Sequence, residues 1–127
     1  MPLKALVVED NVEDFDLIDV WLQEALGDRM SLDHASSVEA AADLMGRNTY
    51  AVIIHDLFLP PWGPESITAA YKNSPETPIV AMSGESSPEL HRTAIANGAT
   101  LFCAKSDLRG DNLVSILAQL VPGIKSP

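Results

Sequence analysis

"YAVIIHDLFLPP", residues 50–61, decides the fold. Ala51 to Ile54 are apolar without alternation, which suits a strand buried on both faces, the condition of a parallel sheet. Pro60 and Pro61 cannot continue a ladder, since proline offers no N–H and its φ is fixed. Between these two signals stands Asp56, a carboxylate at the end of a strand that reads as central. "TPIVAMSG" (77–84) repeats the pattern: a short apolar run that ends in small polar residues.

Working outward from 50–56, "LKALVV" (3–8), "MSLDHAS" (30–36) and "ATLFCAK" (99–105) read as further strands. Helical periodicity fills the intervals. Residues 11–27 place apolar side chains at 15, 18, 22, 25 and 26 and stop at Gly27. Residues 36–48 are Ala-rich and open with Ser36 and Glu39 at the spacing of a capping box. Residues 63–75 carry Pro64 and Glu65 in a first turn, residues 87–98 start at Ser87-Pro88 and stop at Asn97-Gly98, and 111–123 form an amphipathic last helix. Five strands, each followed by a helix, imply parallel pairing through right-handed crossovers with helices on both faces. The expected fold is therefore three-layer α/β, a five-stranded parallel sheet of order 2-1-3-4-5 with five helices, flavodoxin-like. The expected domain organisation is one domain over 1–127, its core at about 3–121, with 122–127 as a tail or the start of a linker.

A chain of 127 residues, 46 % of them apolar, can bury one sizeable core. No apolar run reaches the roughly 18 residues of a membrane span, and "MPLKALVVED" lacks the features of a leader, so a cytoplasmic protein is expected. A single cysteine, Cys103, excludes an internal disulfide and a cysteine-cluster zinc site, and its apolar setting predicts a buried, inert thiol. His34, His55 and His91 show no ligand spacing. The net charge of −10 argues against direct contact with nucleic acid or anionic lipid.

Ligand sites in such sheets lie beyond the carboxyl ends of the strands, near the point where strand order reverses. Glu9 and Asp10 end the first strand, Asp56 the third, Ser83 and Gly84 the fourth, and Lys105 the fifth. Strands 1 and 3 would lie roughly 4.8 Å apart, which crowds three carboxylates together. Such crowding raises their pKa values unless a cation is present. An oxygen-only set with few protein ligands suits Mg²⁺, or Mn²⁺. An aspartate can attack phosphorus, and Lys105, Ser83 and backbone N–H groups are suited to balance phosphoryl charge.

At "VVEDN", "IIHDLFLP", "MSGE" and "LFCAK" the sequence resembles the receiver domain of two-component response regulators, over about residues 3 to 121. The resemblance implies a stand-alone, chemotaxis-regulator-like receiver. It makes Asp56 the phospho-acceptor, a sensor histidine kinase or histidine phosphotransfer protein the donor, and a downstream protein the output partner, with no direct nucleic-acid or membrane contact. It further implies Asp10 as a direct Mg²⁺ ligand, Glu9 as an outer acid acting through water, and a backbone carbonyl at Phe58 as another ligand. Ser83 and Lys105 would meet the phosphoryl group, and Ser83 and Phe102 would carry the switch, a population shift of a partner-binding face. Such a protein is a self-phosphorylating acceptor with slow autodephosphorylation rather than a turnover enzyme.

The sequence departs from the family pattern in four places. "LPPWGPE" is one residue short between Pro60 and Gly63. Phe58, two residues after Asp56, is apolar where many members are polar, and is placed to shield an acyl phosphate from water. Ser106 follows Lys105 where proline is frequent. His55 precedes Asp56, and strand alternation turns it to the opposite side, which favours packing over chemistry. Trp62 sits at the pocket mouth, a loop residue covering apolar surface or a partner contact. Trp21 is expected along the flank of the first helix. Two other classes compete with this reading, a binding module and an enzyme on the same topology. A binding module working without phosphorylation is the alternative. A flavin carrier would have its phosphate repelled by Glu9-Asp10, and an aspartyl-phosphate hydrolase would need an acid where Phe58 stands.

Overall fold

In the computed structural model, which describes residues 3–59, 65–85 and 87–124, strands and helices alternate along the whole chain. The order is β1 (Leu3–Val8), α1 (Val12–Leu26), β2 (Met30–Ala35), α2 (Val38–Arg47), β3 (Val52–Asp56), α3 (Glu65–Asn73), β4 (Ile79–Ser83), α4 (Pro88–Ala96), β5 (Leu101–Ala104) and α5 (Gly110–Leu120). Pairing is parallel throughout and the strand order is β2-β1-β3-β4-β5, as expected from the sequence. Every residue of β3 and β4 is buried.

Strand alternation sorts the apolar residues into two cores. Val7, Ile54 and Met82 face α1 and α5, where Ile18, Leu22, Leu113 and Leu117 meet them. Leu6, Ile53 and Ala81 face α2, α3 and α4 through Ala41, Ile67 and Ala94. Full burial of an aliphatic side chain contributes about 1.5–3 kcal/mol each, so both faces of the sheet are needed to offset chain entropy.

Local signals set the helix ends. Asn11 caps α1 by accepting from the Asp14 N–H, and Ser87 caps α4 by accepting from the Leu90 N–H. The capping residue of α2 is Ser37, not Ser36. Ser37 is extended (φ −150°, ψ 163°) and accepts from the Ala40 N–H, while the helix begins only at Val38. Gly27 ends α1 at φ 52°. Gly98, at φ 118°, links α4 to β5 where a Cβ would lie 2.7 Å from that of Tyr71.

Cys103 is only partly buried, because β5 is an edge strand of four residues with one side unpaired. Burial, and then the charge of Asp107, push its thiol pKa up. Trp21 is half-buried along the α1 flank, against the core shared with α5. Pro60, Pro61, Trp62, Gly63 and Pro64 lie outside the described residues, so the short loop and the Trp62 contact are not located by the structure. No described helix is long and apolar enough to cross a membrane.

Candidate functional site

The register of the sheet builds the site. Val8 of β1 pairs with His55 of β3, so Glu9 and Asp56 are the next residues at two neighbouring strand ends. Glu9 is held there by its N–H, which donates to the Ala35 carbonyl at 2.9 Å. Glu9, Asp10 and Asp56 each bring a carboxylate oxygen to within 4.8 Å of the others. Glu9 is fully buried, Asp56 nearly so, and Asp10 is exposed.

The ammonium of Lys105 sits among these acids. Its Nζ lies 2.8 Å from Glu9 Oε2, 2.8 Å from Asp14 Oδ2 and 3.2 Å from Asp56 Oδ2. The contacts to Asp14 and Asp56 are aligned hydrogen bonds. The contact to Glu9 is a close ion pair without that alignment, which leaves Glu9 Oε2 buried and short of a hydrogen-bond donor. The other oxygens are served by backbone. Asn11 N–H donates to Glu9 Oε1 and Phe58 N–H to Asp56 Oδ1, each at 3.0 Å.

Burial raises the Glu9 pKa to about 7. The Lys105 ammonium and the Asn11 N–H offset part of this, and the Asp56 charge adds to it. Burial alone would lower Lys105, but its hydrogen bond to Asp14, its close contact with Glu9 and the charges of Asp56 and Glu9 outweigh that and hold it above the usual lysine range. His55 is buried and burial lowers its pKa, so the ring is neutral. Its Nδ1–H donates to the Asp56 carbonyl at 2.7 Å, which fixes the backbone behind the carboxylate.

Among the described residues, three carboxylates with no softer donor, one of them with a buried oxygen that has an ion pair but no aligned hydrogen bond, fit a hard divalent cation such as Mg²⁺. Glu9, Asp10 and Asp56 are the residues that would hold it.

The remaining expected residues are placed as follows. Ser83 is fully buried and its Oγ accepts from the Glu85 N–H at 3.0 Å. No hydrogen bond joins it to Asp56 among the described residues. Phe102 lies on β5, partly buried, and its ring stacks on His91 of α4 at 5.5 Å between centroids. The Phe58 side chain is 42 % exposed. The third carboxylate on Lys105, Asp14, was missed by sequence reasoning. The signal was its position one helical turn after Asp10, in a helix whose first turn opens at the strand ends.

A family model described as the response regulator receiver domain matches residues 5–118. Comparison with the curated proteins gives no match. Among solved structures, the chain is similar to the chemotaxis protein CheY4 of Vibrio cholerae, at 23 % identity and a TM-score of 0.83 over 95 % of this chain and 100 % of that one. It is similar to the receiver domain of a sensor histidine kinase from Pseudomonas aeruginosa with a magnesium ion coordinated in its active-site cleft. There the identity is 20 %, the TM-score 0.81, and the coverage 94 % and 98 %. A Burkholderia pseudomallei response regulator with a phosphorylated aspartic acid and a calcium ion is 24 % identical, TM-score 0.75, over 96 % of this chain and 68 % of that one.

Proposed function

The chain belongs to the response regulator receiver domain family, and from that premise we propose that it accepts a phosphoryl group on Asp56 from a histidine kinase or phosphotransfer protein. The observation that carries this reading is the arrangement around Asp56. One of its oxygens receives a backbone N–H, the other an ammonium, and two further carboxylates stand within metal-sharing distance.

A carboxylate oxygen of Asp56 forms the new O–P bond while the P–N bond of the donor phosphohistidine breaks, and the leaving imidazole keeps the electron pair. No other co-reactant is needed. A divalent ion, when bound by Glu9, Asp10 and Asp56, supplies positive charge against the phosphoryl oxygens. Lys105 supplies a second cation, and its three N–H donors let it turn from carboxylate to phosphoryl without leaving the site. Phe58 N–H orients the acceptor before reaction, and the Phe58 carbonyl is assigned to the metal. The Ser83 hydroxyl leaves the Glu85 N–H for a phosphoryl oxygen, and Phe102 repacks against α4 in response. The result is a shift between two arrangements of the face that meets a downstream protein in the cytoplasm.

Incubation with acetyl phosphate and Mg²⁺ tests this. Intact-mass measurement should find a gain of about 80 Da, one phosphoryl group, that is absent in Asp56→Asn. Absence of an adduct in the parent protein, with Mg²⁺ also unable to perturb tryptophan emission, would reassign the fold to a binding role independent of phosphorylation.

A further inference from the structure

An ammonium has three N–H donors, and in the resting protein Lys105 faces three carboxylates from three segments: β1, α1 and β3. The shorter of its two aligned hydrogen bonds goes to Asp14, at 2.8 Å, and the longer to the acceptor Asp56, at 3.2 Å. The lysine therefore sits closer to Asp14 than to the acceptor. Its three partners are not equally committed to it. Glu9 is fully buried, so its carboxylate needs a cation beside it, whether Lys105 or a divalent ion bound with Asp10 and Asp56. The Asp14 side chain is 36 % exposed, so water can take over from the ammonium at little cost. A phosphoryl group brings a charge of about −1.5 to −2 and three acceptor oxygens. Of the three carboxylates on Lys105, Asp14 alone lies outside the set that would hold a divalent ion, so its hold on the ammonium is the one open to competition from such a group.

That bond is also a mechanical tie. Asp14 lies in the first turn of α1, and Lys105 opens the short 3-10 turn Lys105–Asp107 that leads to α5. Between them lies a cleft of about 40 Å³ walled by Asp14, Trp21, Lys105 and Leu108. The Trp21 indole covers Gly110 at the start of α5, where a Cβ would sit 3.5 Å from the ring. Releasing Lys105 from Asp14 changes one wall of the cleft that Trp21 lines.

We propose that Asp14 is a positioning residue for Lys105, which holds the ammonium at rest and yields it to the phosphoryl group, so that phosphorylation unties α1 from the turn after β5. This rests on the phospho-acceptor reading of Asp56. The chain has two tryptophans, so Trp62→Phe leaves Trp21 as the sole indole reporter. In that background the parent, Asp14→Asn and Asp14→Glu are treated with Mg²⁺ and acetyl phosphate, with the adduct followed by mass and Trp21 by emission. Asp14→Asn removes the competing charge and should take up phosphoryl about two- to five-fold faster, the span of a partly exposed ion pair. Its Trp21 emission before phosphorylation should already stand near the phosphorylated value of the parent. Asp14→Glu restores the charge within reach of Lys105 and should return both readouts toward the parent.

Uptake in Asp14→Asn at or below the parent rate would overturn the proposal. So would a parent adduct that forms without any change in Trp21 emission. In both cases the phospho-acceptor reading stands. A parent that gains no adduct removes that reading and the proposal together.

Discussion

At Glu9, burial and the neighbouring Asp56 push the carboxyl up to about 7 from 4.5. A hard cation binds the carboxylate, not the acid, so binding at neutral pH releases a proton. Apparent Mg²⁺ affinity should therefore fall as pH drops through 7, approaching about tenfold per unit below it, and level off above. Tryptophan titrations at pH 6, 7 and 8 measure this, and Glu9→Gln should flatten the dependence. Phe58 makes a different contribution. Its N–H orients Asp56, and its exposed apolar side chain stands two residues along the chain from that carboxylate. Phe58→Asn keeps the first and replaces the apolar group by a polar one, so loss of the phosphoryl adduct should run severalfold faster in a mass-spectrometric time course. At this scale Glu9, Asp10, Asp56 and Lys105 were legible because strand ends in a parallel sheet converge. Asp14 was not, because a helix delivers it and only helix phase could have placed it. The Phe58 N–H was not legible either, since backbone donors carry no side-chain signature.

Among the helices and their connections, stability depends on a few terminal residues. The Ser87 hydroxyl accepts from the Leu90 N–H at 3.1 Å, so Ser87→Ala should cost about 1 kcal/mol in a denaturant titration, and Ser87→Asp should recover most of it. Gly98 has a stricter role. Its φ of 118° strains any residue with a side chain, and a Cβ there collides with Tyr71 of α3. Gly98→Ala should destabilise by about 2 kcal/mol or more, by denaturation, and trimming Tyr71 to Ala should recover little of it, because the nearest clash, at 2.7 Å, is with the Tyr71 Cβ that alanine keeps. Asn97-Gly98 and Ser87-Pro88 were readable as stop and start because each residue acts through its own backbone. The adjacent serines 36 and 37 were ambiguous: either hydroxyl could cap, and the choice fell to where β2 ends, at Ala35, and α2 begins, at Val38.

For the molecule as a whole, order and layering were legible because two cores require two apolar registers on each central strand, and β3 and β4 carry both. The partial exposure of Cys103 was not, because an apolar stretch reads the same on an edge strand as on a central one. Metal coupled to the whole fold gives a further measurable consequence. An ion bound only by the native chain at tenfold its Kd adds about 1.4 kcal/mol. That should raise Tm by about 5 °C for a chain of this size. Thermal unfolding with Mg²⁺ and with a chelator measures this, and Asp10→Asn should abolish the gain. The open sheet has one more consequence. Among the described residues its outermost strands, β2 and β5, each leave a row of backbone groups without a strand beside it, the kind of surface on which foreign chains can pair. β5 offers only four residues of it, and β2 carries Asp33, its carboxylate accepting from the Tyr50 hydroxyl. A short margin on one side and a charged residue on the other are features that discourage edge-to-edge pairing.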